Sequence, residues 1–114
     1  MSVRTFHVNI TPQEATDMIK DWVLKSSISG TLVDQYERKV GNYEIVVFVL
    51  EKYYMRTSNR ASLTVTIDNL DGATKVHAVA AGSSESLIRF DWGAGKRFSK
   101  SVEDALQRHI MSEE

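Results

Sequence analysis

Two short segments carry most of the residue types that could do chemistry. The first is Arg56-Thr57-Ser58-Asn59-Arg60, preceded by Lys52, Tyr53 and Tyr54. Two guanidinium groups, two hydroxyls and an amide beside aromatic rings can hold a phosphate, a carboxylate or a single-stranded base. The second is Asp91-Trp92-Gly93-Ala94-Gly95-Lys96-Arg97. Glycines directly ahead of a helix let backbone N–H groups converge on an anion, and the helix dipole with Lys96 and Arg97 would assist. This is not a Walker A loop, because Phe90 stands where the first glycine belongs and Arg97 replaces the Ser or Thr. Nor is it a dinucleotide-binding fingerprint, since the spacing is wrong and no βαβ unit surrounds it. Each segment also has a plainer reading: a glycine turn that reverses the chain, and a polar connection that bonds its own backbone. If both segments fall at one end of a sheet, Arg56, Ser58, Asn59, Arg60, Trp92, Gly93, Gly95, Lys96 and Arg97 form one basic, aromatic-rimmed ligand site.

Other chemistries find little support. The chain has no cysteine, which removes a disulfide framework, a thiol nucleophile and a zinc ribbon together. His7, His77 and His109 lie on three different elements without a short ligand spacing, which argues against a metal site. There is no G-x-S-x-G nucleophile elbow, and Asp68 and Asp71 read as turn residues rather than an acid–base pair. A net charge of −1 provides no long-range field to draw nucleic acid, so such binding would depend on one patch. No cofactor is expected.

The elements that would position these residues are written in hydrophobic periodicity. Phe6, Val8 and Ile10 alternate with His7 and Asn9, the period of a half-buried strand. Thr11-Pro12-Gln13-Glu14 then opens a helix, with Thr11 as cap, Pro12 at the first helical position and Glu14 completing a capping box. Ala15, Met18, Ile19, Trp22 and Val23 form its apolar stripe, which ends near Ser26 and Ser27. A hairpin follows, from Thr31 to Lys39, around Gly41-Asn42 and onward from Tyr43. Ile45 to Leu50 is apolar on both faces, so this strand is central or covered on its far side, and a second subunit could cover it as a homodimer. Ser62 to Ile67 alternates with Leu63, Val65 and Ile67 inward, and Asp71-Gly72 turns the chain into a strand from Thr74 to Ala81. Small residues on that strand (Ala78, Ala80 and Ala81) allow close packing. Leu87 to Phe90 reads equally as a short strand or a bent connector. A last helix is expected from Lys96 to Met111, with Phe98, Val102, Ala105, Leu106, His109 and Ile110 as its stripe and Ser112 to Glu114 as a tail.

The 114 residues fit one domain over 1–114, and 42% apolar with 25% charged residues is ordinary globular composition. The order β-α-β-β-β-β-α implies an α+β fold: an antiparallel sheet of four to six strands with two helices packed on one face. That order resembles helix-grip and TATA-binding-protein-like folds, an analogy of topology without functional weight. No apolar run forms a signal peptide or spans a bilayer, so the cytosol is the expected compartment and no membrane partner is expected.

The stretches from Glu51 to Ser62 and from Phe90 to Gly95 resemble those of a family of short bacterial proteins known only as a domain of unknown function. The resemblance covers nearly the whole chain. It implies a bacterial protein without an assigned activity or established site residues. The reading that results is a non-enzymatic binding domain for a small anionic ligand or a protein partner. The alternative is a homo-oligomeric interaction protein that uses the sheet face and binds no ligand. An enzyme ranks third and a nucleic-acid binder fourth.

Overall fold

Strand β1 runs over Ser2–Val8 and hands the chain to helix α1, Pro12–Lys25, through the expected capping box. Thr11 Oγ1 accepts the Glu14 N–H at 3.1 Å, and the Glu14 carboxylate accepts the Thr11 N–H at 3.0 Å. Two of the helix's orphan donors are thereby satisfied. Four strands follow: β2 Thr31–Val40, β3 Tyr43–Tyr54, β4 Asn59–Asp68 and β5 Thr74–Gly82. Helix α2 covers Ala94–Ala105, a 3-10 turn Gln107–His109 follows, and strand β6 closes the chain at Ile110–Glu113. This computed structural model describes residues 2–25, 29–54, 59–82 and 94–113. The expectations for Arg56 to Ser58, Leu87 to Phe90 and Asp91 to Gly93 lie outside the described residues.

All described strand pairs are antiparallel, in one six-stranded sheet of order β2-β3-β4-β5-β1-β6. The fold is therefore α+β as the element order implies, with both helices on one face. Register and alternation fix that face. Val46, Phe48 and Leu50 of β3 stand opposite Ile67, Val65 and Leu63 of β4, which in turn oppose Val76, Ala78 and Ala80 of β5. All nine are fully buried with Phe6, Val8, Ile19, Val102 and Leu106. Each large apolar side chain so buried contributes about 1.5–3 kcal/mol. Ala78 and Ala80 of β5 bring α2 close to the sheet and belong to the core, whereas Ala81 is half-buried on the other face, opposite Ser62.

α2 is also tied to β1 by polar contacts. The hydroxyls of Ser2 and Ser99 share a hydrogen bond of 2.8 Å, and the Arg4 guanidinium pairs with the Glu103 carboxylate. Both turns use glycine in the left-handed region, Gly41 at φ +58° and Gly72 at φ +95°, where a side chain would be strained. Asn69 clamps these turns together: its side chain accepts the Glu44 N–H at 2.7 Å and donates to the Asn42 carbonyl at 3.0 Å.

Three expectations need correction. The final helix does not reach Met111; it stops at Ala105, because β1 offers an open edge that Ile110–Glu113 pairs with across a bulge between His7 and Val8. Ile10 lies beyond β1 and packs on the core from the loop. Trp22 is 48% exposed, and Thr16 takes a buried place on α1 instead. Thr16 tolerates burial because its hydroxyl donates to the Pro12 carbonyl at 2.8 Å.

Candidate functional site

The helices occupy one side of the sheet, so the residues that alternate with the core stand on the other. Along β3 these are Tyr43, Ile45, Val47, Val49, Glu51 and Tyr53. On a solvent-facing antiparallel strand, alternation normally supplies polar residues at such positions. Here the first four form an apolar column. Strand β2 adds Tyr36 opposite Val47 and Val40 opposite Tyr43, with Arg38 and Asp34 opposite Ile45 and Val49. Tyr36, Val40 and Tyr43 are 54%, 67% and 55% exposed, while Ile45, Val47 and Val49 are half-buried. Beyond the column, β4 presents Ser62, Thr64 and Thr66, and the face ends in Val79 and Val3. The result is an apolar, tyrosine-edged patch on the β2–β3 side of an uncovered sheet.

Strand β2 itself is exposed at nearly every position, with only Gln35 half-buried. That residue accepts a hydrogen bond of 2.6 Å from Lys20 of α1. The helix layer does not otherwise shield the strand. Leu32 and Val33 are exposed as well, with a bulge that shifts the register between Leu32 and Asp34.

The basic segments are only partly in view. Arg60 opens β4 on the uncovered face, 3.7 Å from the Glu51 carboxylate, so its charge has a partner. Gly95, Lys96 and Arg97 belong to the first turns of α2 and not to a loop ahead of it, with Lys96 and Arg97 exposed. Asn59 contributes backbone to β4, opposite Tyr54. Arg56, Ser58, Trp92 and Gly93 lie outside the described residues. Tyr54 pairs with Asn59 at the sheet end where Ala61 pairs with Gly82, and α2 is tied near that end through Ser99, whose hydroxyl bonds that of Ser2 opposite Ala80.

Concavities among the described residues lie elsewhere. A groove of about 430 Å³ between the helices is floored by Met18, Trp22 and Ala105 and rimmed by Asp104, Gln107 and Arg108. A polar recess of about 400 Å³ at the turn end includes Thr11, Glu14, Lys39, Asn42, Glu44 and Thr74.

The histidines have local partners. His77 Nδ1 lies 2.8 Å from the Thr5 hydroxyl, and His109 Nδ1 lies 3.0 Å from the Asn9 side-chain oxygen. His7 Nε2 lies 3.2 Å from the Asp71 carboxylate. That contact, and then the Ala73 N–H, hold Asp71 below its ordinary carboxylate range. Asp68 and Asp71 each accept a backbone N–H two residues ahead, as turn residues do. Among the described residues no group of three acidic or histidine side chains could hold a metal ion. No helix of the described residues is long and apolar enough to cross a membrane.

A model of a family described as of unknown function, DUF6054, matches residues 1–110. The chain belongs to this family. No curated protein and no solved structure matches it. Membership in DUF6054 therefore brings no inherited site, and the geometry of this chain has to carry the functional argument.

Proposed function

We propose that the protein is a non-enzymatic binding domain that engages another polypeptide through the uncovered sheet face on the β2–β3 side. The observation that carries this is the apolar column Tyr43, Ile45, Val47 and Val49, placed away from the helices and widened by Tyr36 and Val40. Contiguous apolar surface of this kind marks contact sites, and tyrosine supplies broad contact at little entropic cost. The test is a photo-crosslinking side chain placed at Tyr43, with Lys100 on the helix side as control, in cells that make the protein naturally. An adduct with a polypeptide from position 43 and none from position 100 is the expected result. No adduct from position 43, or equal adducts from both, defeats the reading.

A second reading is a small anionic ligand held by Arg56, Ser58, Asn59, Arg60, Trp92, Gly93, Gly95, Lys96 and Arg97. What favours it is that the first segment leaves β3 at Tyr54, while the Ser2–Ser99 hydrogen bond holds α2 beside β1 near the same end of the sheet. The Glu51 carboxylate beside Arg60 weighs against it. Native mass spectrometry of the purified protein should reveal a bound anion, lost in the R56A/R60A variant without a lower melting temperature. Retained binding in that variant removes this reading.

A further inference from the structure

We infer that the polypeptide engaged at the β2–β3 side is a second copy of this chain, paired edge to edge through β2 about a two-fold axis at Tyr36. This rests on the proposed reading of that side as a protein contact; it puts the contact at the β2 edge beside the apolar column, which stays open, and names both the partner and the register.

The two edges of the sheet are built differently. One is β6, only 4 residues long, while the other is β2, 10 residues long and without proline. Natural edge strands are usually short or blunted, because a long bare edge invites pairing. β2 has a bulge only near its start, at Val33, and beyond it the ladder with β3 is regular from Asp34 to Val40. Val40 and Tyr43 close a two-residue turn and so exchange both backbone bonds. Counting back along the alternation, Gln35, Glu37 and Lys39 direct their N–H and C=O groups to the free edge.

The charge order on β2 then selects a partner. A two-fold perpendicular to the sheet keeps residues of one face opposite one another, so only registers in steps of two are open. With Tyr36 on the axis, Asp34 of each copy faces Arg38 of the other on the uncovered face. Gln35 and Glu37 exchange backbone bonds, and no like charges stand opposite. Placing Glu37 on the axis sets two carboxylates against each other, and placing Arg38 there sets two guanidinium groups together. Placing Gln35 there pairs no opposite charges. Opposite charges directly across an antiparallel pair stabilise it and like charges destabilise it. The strand is thus self-complementary in one register. In that register the two six-stranded sheets become continuous, both helix layers lie on one side, and the apolar patches meet at Tyr36.

The experiment is sedimentation equilibrium of the purified chain with a charge-reversal cycle, D34R, R38D and D34R/R38D, and the edge variant E37P. All three substituted positions are exposed, and proline at an outward N–H leaves the bonds to β3 intact, so melting curves should report folded protein throughout. A wild-type dimer is expected, weakened about tenfold or more by either single reversal and restored in the double variant. E37P is expected to be monomeric. A wild-type chain that stays monomeric overturns the second-copy inference, while an adduct at position 43 to a different chain would leave the protein-contact reading standing. A dimer that ignores E37P overturns the edge pairing, and a cycle without rescue overturns the register.

Discussion

The two halves of this sheet are held in opposite ways. Strands β4, β5 and β1 lie under the helix layer, with a core face of Leu63, Val65, Ile67, Val76, Ala78, Ala80, Phe6 and Val8 that is almost completely buried. β2 is paired along its inner side only and is exposed above and below. One half is secured by burial, the other by backbone bonds and whatever covers it. A two-stranded ribbon alone is marginally stable in water, so β2 depends on β3, whose core side is buried and whose other side is the apolar column. The difference teaches where a contact surface can arise: at the part of the sheet that the chain's own helices leave uncovered.

Hydrogen exchange should show the contrast most strongly. In dilute, monomeric solution, the amides of Val65 and Ala78 should exchange only through large-scale opening, on the order of a thousandfold or more slower than those of Gln35 and Glu37 at the free edge. Protection of Gln35 and Glu37 that rises with protein concentration would mark edge pairing. Uniform protection in dilute solution would erase the distinction between the halves.

Substitutions divide the same way. Phe48→Ala and Leu63→Ala should each cost about 3–5 kcal/mol in urea unfolding, because both side chains are fully buried in close packing. Tyr36→Ser on β2 should change monomer stability by no more than about 0.5 kcal/mol. A large loss from Tyr36→Ser would mean that the bare half is also packed within the single chain.

Smaller effects lie at the helix start. Thr11→Ala removes the cap of α1 and should cost about 1 kcal/mol. The Thr11 N–H and then its hydroxyl hold the Glu14 carboxyl below its ordinary range, as His7 and Ala73 do for Asp71. A depressed carboxylate contributes stability that is present above its unfolded value and lost as pH falls through the folded one. The urea midpoint should therefore fall on acidification through the range below about pH 4.5. Glu14→Gln should flatten part of that slope, and an unchanged slope would show that the capping box does not contribute to it.

Much of the fold was legible in local pattern. The alternation from Ser62 to Ile67, the capping box and the two turn glycines each act over a few residues, and the structure has all of them. Trp22 lies outside the buried arc of α1 and Thr16 within it, because that arc depends on the helix's angle against the sheet, which no spacing rule contains. β6 was hidden because His109 and Ile110 continue the helical stripe of α2; the edge of β1 diverts the chain into a strand from Ile110 onward. Of the basic segments, the sequence supplied the residue types, and the structure shows where Asn59, Arg60 and the first turns of α2 stand. The ion pair that engages Arg60 appears only when Glu51 is brought beside it.

The sequence by itself determined the two helices, the strands β1 to β5 with their antiparallel meander, and the inward faces of β1 and β4, because periodicity and turn chemistry are local. Tertiary structure alone decided that the helices cover β5 and β1 better than β2, and that the apolar column of β3 stays open. Coverage is a property of packing between distant segments. A column of valine and isoleucine reads the same in sequence whether a helix, a second copy or water lies over it.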